Sequence, residues 1–404
     1  MKPTNPVFTG LQTTIFETMS RLAIAHGAIN LGQGFPDVDG PEDVRRVAAE
    51  ALMSGPNQYP PMLGLPELRQ AVAESNRRFY GLDVDWQSEV MVTSGATEAI
   101  ADVLLALLEP GDEVILIEPL YDCYLPLVKR AGGIPVRLRV TPPQWRLDLD
   151  ALAGAFTENT KAILLNNPMN PAGKVFSEEE LAAIARLCNE HGVYAICDEV
   201  YEHLLFDGRQ HRPLMAFEGM RERAVRIGSA GKTFSLTGWK VGYVTAAPNL
   251  LEPIAKAHQF VTFTTPPNLQ RAVAYGLGKQ DDYFEDLSRS MQAKRDRMLG
   301  GLRDLGFGVL PCEGTYFATC DVTTLGLEGG DVEICKRMVE EAGVAAVPVS
   351  AFYVADAPTN FVRFCFCKKD EVIDGALERL DGWVRKQTGA GASAPLGVAS
   401  VGGD

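Results

Sequence analysis

The stretch from Gly228 to Lys240 reads GSAGKTFSLTGWK and follows the short apolar run Ala224-Val225-Arg226-Ile227. Two chemistries compete for it. Gly231-Lys232-Thr233 resembles the end of a phosphate-binding loop, which needs another glycine five residues before Gly231. Arg226 stands there, so that loop is incomplete. The acidic run YAICDE, which could hold a magnesium ion, precedes the stretch, against the usual order. The alternative is a lysine that attacks a carbonyl. Such a lysine needs a neutral amine, which desolvation or a neighbouring cation supplies. Lys232 sits just beyond a buried strand, and Lys240 offers a nearby cation. Taken alone, the stretch leaves a plain surface lysine equally open, so the residues just past the other strands decide.

Short apolar runs recur at residues 90–93, 114–117, 134–140, 162–166, 194–198, 224–228 and 242–246. Several are nearly all apolar, as buried strands of a largely parallel sheet should be. Helical patterns lie between many of them. SEEELAAIARLCNEHG is the clearest, with a capping box at Ser177 and Glu180 and a stop at Gly192. The pattern predicts an α/β domain of seven mostly parallel strands covered by helices, with a smaller α+β domain in the last hundred residues. The expected organisation is an N-terminal segment 1–45 packing on the small domain, a large domain 46–290, a small domain 291–387 and a mobile Gly/Ala/Ser-rich tail 388–404.

The 404 residues carry a formal net charge of -14, with 46% hydrophobic and 22% charged residues. That balance fits a globular chain with a substantial core and argues against nucleic-acid or anionic-membrane partners. No secretory signal and no run of about eighteen apolar residues is visible, so no membrane span is expected. The eight cysteines lie mostly in apolar runs and read as reduced core thiols of a cytoplasmic protein. Cys365 and Cys367 lack a second pair at zinc spacing, so no metal site is expected.

Ligands of such sheets bind at the carboxyl ends of the strands. There the chain carries SGATEA, EPLYDCY, NNPMNPAG, DEVY and SAGKTFS. NLGQGFPD, NQYPPMLGLPELR, EPLYDCY, NNPMNPAGKVF, DEVYEHLLFDG, GSAGKTFSLTGWKVGY and VRFCF resemble, in this order, the motifs of a fold-type I pyridoxal-phosphate enzyme of the class I/II aminotransferase family. They span about Asn30 to Cys367. The nearest branches are kynurenine aminotransferase/glutamine transaminase K, bacterial methionine-type relatives and N-succinyldiaminopimelate aminotransferase.

The resemblance implies pyridoxal 5'-phosphate as cofactor and a role for each matching residue. Lys232 bonds covalently to the cofactor and later moves the Cα proton. Asp198 pairs with the pyridinium nitrogen, Asn170 and Tyr201 reach the phenolic oxygen, and Tyr121 stacks on the ring. Gly95, Ala96 and Thr97 at a helix start, with Ser229 and Lys240, hold the phosphate. Tyr59 completes that cup from the neighbouring subunit, which implies a homodimer with shared sites. Arg363 grips the substrate carboxylate bidentately, Gly34 lies against it, and Phe16 and Asn170 line the substrate pocket.

The kynurenine branch typically has histidine where Thr264 stands, often tryptophan where Phe16 stands, and often Gly-Gly-aromatic in place of Gly95-Ala96-Thr97. These departures touch the side-chain pocket, so kynurenine is not carried over as substrate. The expected activity is transfer of an amino group from an L-amino acid with an uncharged or aromatic side chain to a 2-oxo acid, with ping-pong kinetics. The rival substrate is N-succinyldiaminopimelate, whose distal carboxylate would want another cation, with Arg21 as a candidate. A β-lyase shares the same carbanion and stays open. A non-catalytic cofactor-sensing domain of a transcription regulator is disfavoured by the short N-terminal segment and the net charge.

Overall fold

The computed structural model describes residues 2–11 and 13–388. The tail expected to be mobile lies outside the described residues, apart from the end of the last helix at Thr388. The seven apolar runs form one sheet: β1 Val90–Thr93, β2 Glu113–Glu118, β3 Ile134–Thr141, β4 Thr160–Asn166, β5 Tyr194–Asp198, β6 Ala224–Ser229 and β7 Gly242–Thr245. Their spatial order is β1-β7-β6-β5-β4-β2-β3. β2 to β6 run parallel, whereas β7 is antiparallel to both β1 and β6. A two-residue strand, Arg146–Leu147, extends the β3 edge as an eighth member. Two residues carry no periodic pattern, so the sequence offered no sign of it.

β4, β5 and β6 carry side chains that are almost all buried on both faces. Two large apolar clusters account for this. One includes Ile163, Ala195 and Phe234, and the other Leu164, Ile196 and Val225. Successive strand residues point to opposite faces, so neighbours such as Ile163 and Leu164 fall in different clusters. Helix α1, Ala96–Leu107, follows β1, and α2, Glu178–His191, follows β4 with its expected capping box and a left-handed Gly192 stop.

A third cluster gathers around a four-stranded antiparallel sheet in which β11, Phe361–Cys365, lies between β9, Phe317–Asp321, and β10, Val347–Pro348, while β8, Gly308–Val309, flanks β9. The N-terminal segment joins it. Ile29–Asn30 pairs in parallel with Val344–Ala345, and Met19, Ala23 and Leu31 bury into the same cluster. Cys365 N–H donates to the Leu31 carbonyl at 2.7 Å. Residues 32–35 are thereby held over the ends of the large sheet's strands. Cys365 and Cys367 are buried in this cluster.

Candidate active site

The carboxyl ends of β1, β4, β5 and β6 face a cavity of about 370 Å³, closed by the N-terminal segment and the small sheet. Gly34, Phe16, Gly95, Ala96, Thr97, Tyr121, Asn170, Asp198, Tyr201, Ser229, Lys232, Lys240 and Arg363 all line it. Residues separated by more than 300 positions thus meet in one place. Tyr59 and Thr264 do not line it. Tyr59 is 84% exposed and packs edge-on against Phe263, with ring centroids 5.5 Å apart. Arg21 is also absent. Its helix buries Met19 and Ala23, which turns Arg21 outward to pair with Glu17.

One end of the cavity is built for an anion. β1 ends at Thr93, and Gly95 takes φ +83° before α1 begins at Ala96. First-turn N–H groups have no acceptor within their own helix and carry the positive end of its dipole. Gly95 and Gly242 have little room for a side chain. A Cβ on Gly95 would come within 3.3 Å of Lys240 Cε, and one on Gly242 within 2.7 Å of the Gly95 carbonyl carbon. Lys240, itself left-handed at φ +54°, brings its ammonium to the same spot.

Behind this turn, Glu98 accepts from Ser94 N–H and lies 2.7 Å from His258 Nδ1. His258 Nε2 donates to the Met62 carbonyl at 3.1 Å. Asp102, fully buried, lies 3.6 Å from the same ring nitrogen. The Glu98 contact is a hydrogen-bond length. Against burial, which opposes the charge, the neighbouring Asp102 and Glu98 carboxylates push His258 up to about 9.

In the middle, Asp198 closes β5. Its Oδ2 accepts from the Tyr124 hydroxyl at 2.5 Å, and Asn166 Nδ2 holds its carbonyl at 3.0 Å. Burial pushes the Asp198 carboxyl up, against the Tyr124 hydrogen bond that favours its charge. A carboxylate held this way suits a cationic partner. Lys232 lies in the short helix after β6, where burial lowers its ammonium pKa. That is the condition for a nucleophilic amine. Its Nζ donates to the Tyr316 hydroxyl at 2.9 Å.

The other end presents Arg363, 1% exposed, from the middle of β11. Nη1 donates to Asn170 Oδ1 and Nη2 to the Gly32 carbonyl, each at 2.8 Å. Nε is buried without a partner. Phe16, Phe317 and Phe352 surround the guanidinium with centroids 5.2, 3.9 and 5.0 Å away. Among the described residues, no carboxylate lies within ion-pair distance of it. Burial pushes it down to about 10. A buried cation in this state calls for an anion from outside. Gly34 is packed so tightly that a Cβ would meet Phe317 Cζ at 2.6 Å.

A sequence profile of the family described as "Aminotransferase class I and II" matches residues 26–380. The chain belongs to that family. It is 45% identical over 379 residues to a probable N-succinyldiaminopimelate aminotransferase of Mycobacterium tuberculosis, covering 91% of this chain and 95% of the relative. It is 41% identical over 370 residues to the methionine aminotransferase of Escherichia coli, covering 92% and 96%. The solved structure of the M. tuberculosis N-succinyldiaminopimelate aminotransferase superimposes with a TM-score of 0.91 at 44% identity, over 94% of this chain and all of that one.

The protein is an aminotransferase of fold type I, and its cofactor is pyridoxal phosphate. The residues present fit that group: a glycine turn with an ammonium beside it at one end, a buried carboxylate between, and a desolvated lysine beside it. Two side chains of this aminotransferase escaped the sequence reading. Tyr124 stood inside EPLYDCY three residues after Tyr121, a spacing that places both on one side of a helical turn. Tyr316, in EGTYFAT, carried no signal, because its partners are 84 and 282 residues away.

Proposed function

We propose that this aminotransferase moves the amino group of an L-amino acid with an uncharged side chain to a 2-oxo acid, in two half-reactions of ping-pong type. The observation that carries the substrate class is the charge of the cavity wall. Its only cations among the described residues are Lys232, Lys240 and Arg363, and Asp122 also lines it. Each cation has a task in the common chemistry, so a distal carboxylate would find no partner and would face Asp122. Phe16, Phe35 and Gln33 offer apolar contact and an amide instead.

Bound pyridoxal phosphate supplies the carbonyl carbon that takes up the amine and the electron sink that lets the Cα proton leave. Gly95, Ala96, Thr97, Ser229 and Lys240 would hold its phosphate. Asp198, oriented by Tyr124, would keep its ring nitrogen protonated, Tyr121 would cover its face, and Asn170 and Tyr201 would meet its phenolic oxygen. Arg363 orients the substrate carboxylate as a two-point fork. Lys232 Nζ, once released, takes the proton from Cα and later returns one, as base and then acid.

The protein acts as a homodimer in this reading. Tyr59, Phe260 and Met53 are each more than 80% exposed, and Tyr59 lies outside its own cavity, which supports a partner covering it. One apolar cluster gathers Met19, Leu31, Met298, Phe317 and Phe364, which supports a smaller unit 291–387 with segment 1–45 packed on it, beside a large unit 46–290. All eight cysteines are free thiols, which supports a cytoplasmic location.

N-succinyldiaminopimelate is the second reading, favoured by the name of the 45% identical relative. Borohydride treatment followed by peptide mapping should place the cofactor on Lys232. A panel of amino donors with several 2-oxo acids then decides the substrate. Methionine, glutamine and aromatic donors should exceed N-succinyldiaminopimelate and glutamate in kcat/KM. The reverse order would overturn the uncharged-side-chain reading.

A further inference from the structure

Lys232 has one hydrogen-bond contact in the cavity that the chemistry above does not use. Its Nζ lies 2.9 Å from the Tyr316 hydroxyl, and that hydroxyl lies 2.7 Å from the Gly34 carbonyl oxygen. A phenol has one proton to give. The Gly34 carbonyl can only accept, so the proton goes there, and the phenolic lone pairs are left facing Lys232. The lysine is therefore the donor in that contact.

Tyr316 is fixed from several sides. It is 1% exposed. Its carbonyl accepts Phe366 N–H at 3.0 Å, and the preceding residue, Thr315, donates its N–H to the Leu204 carbonyl at 2.9 Å. Its ring stands edge-on to Tyr201 and Phe317, with centroids 5.2 and 4.8 Å away. Burial pushes its phenol well above the usual range, so it does not serve as a base. A lysine side chain has four rotatable bonds and loses rotamer freedom when held in one place. A rigid hydroxyl acceptor selects one of those arrangements.

We propose that Tyr316 is a positioning residue that holds the unbonded amine of Lys232 with its lone pair toward the substrate, and that the Gly34 carbonyl sets this orientation by taking the tyrosine's proton. The N-terminal segment over the cavity is thus linked to the proton-moving lysine through one hydroxyl. If Gly34 moved away, the hydroxyl would be able to donate to the amine and occupy the lone pair that attacks. This inference rests on the reading of Lys232 as the lysine that bonds the cofactor and moves the proton.

Tyr316→Phe removes the hydroxyl and keeps the ring. The melting temperature and the borohydride label on Lys232 should be retained. A label found on another lysine in the unaltered protein would overturn the Lys232 reading itself, and this inference with it. With the label on Lys232, kcat should fall roughly tenfold with KM for the amino donor nearly unchanged, about 1.4 kcal/mol of barrier. The isotope effect on kcat with Cα-deuterated donor should rise, because proton transfer becomes slower relative to the other steps. In cofactor-free protein carrying 13C-labelled lysine, the Lys232 pKa should fall, since the phenol oxygen favours the charged donor. An unchanged kcat overturns the proposal. So does a lower kcat with an unmoved Lys232 pKa and isotope effect, which would make Tyr316 a packing residue.

Discussion

Replacing Arg363 by methionine separates a guanidinium that waits for a ligand from one that holds the fold. Methionine has similar reach and would sit among Phe16, Phe317 and Phe352, which already surround the position. Two opposing effects act on stability. A guanidinium held at about 10 rather than 12.5 is disfavoured in the fold, at neutral pH, by roughly 3 kcal/mol. That penalty is present below pH 10 and disappears as the group loses its proton, so removing the charge at pH 7 returns it. Against this, Asn170 Oδ1 and the Gly32 carbonyl each lose a donor, at a cost of about 1–3 kcal/mol apiece. The net change should stay within about 2 kcal/mol. A guanidinium that were one half of a buried structural pair would instead cost about 3–5 kcal/mol to remove. Activity should respond very differently. Two charge-assisted hydrogen bonds to a carboxylate contribute roughly 1.5–3 kcal/mol each, so kcat/KM should fall by about 10²–10⁴. Thermal unfolding with and without a 2-oxo acid provides the assay. The acid should raise the melting temperature of the unaltered protein and leave that of Arg363→Met unmoved. A variant that loses 3–5 kcal/mol, or that the acid still protects, would refute the reasoning.

Asp198→Asn should keep the fold, since Tyr124 can still donate to the remaining carboxamide oxygen, while kcat falls by about 10²-fold or more, roughly 2.7 kcal/mol of barrier; a nearly normal kcat would make Asp198 merely structural. Tyr59→Phe should weaken cofactor binding by about tenfold through one lost hydrogen bond to an anion. Mixed with Lys232→Ala subunits, it should regain activity, because one site of the heterodimer then carries neither defect; confirmed exchange without that gain would place Tyr59 in its own subunit's service. His258, raised to about 9 against Glu98 and Asp102, should contribute stability that is full below about pH 6.5 and lost as pH rises through 9. Chemical denaturation at pH 7 and pH 10 should therefore show a larger drop for the unaltered protein than for His258→Gln, by roughly the 1.5–3 kcal/mol of a charged hydrogen bond; equal drops would show that the imidazole carries no charge there.

The strands of the large sheet were legible because burial on both faces writes itself as an unbroken apolar run, as in Tyr194–Asp198. The residues just past those strands were legible for a related reason. Parallel strands put their carboxyl ends on one side, so Asn170, Asp198 and Ser229 were bound to meet. Arg363 stood out as a charge in an apolar strand. Two-residue strands such as Arg146–Leu147 left no pattern. Nor did Tyr316, whose role depends on single hydrogen bonds to groups far along the chain. Arg21 looked available in sequence because only the helix phase, set by Met19 and Ala23, shows which way it points.

At the start of β7, Gly242 lies so near the Gly95 turn that two main chains touch with no side chain between them. Side chains change rotamer and change identity; peptide planes in contact do neither. The anion end of the cavity is therefore a fixed datum. The opposite end is bounded largely by one stretch of chain that supplies Thr14, Phe16, Gln33, Gly34 and Phe35. In the proposed reading, preference for one amino acid over another would be rewritten in that stretch while the grip on the cofactor stays as it was. A catalyst divided this way can drift among substrates without passing through an inactive ancestor.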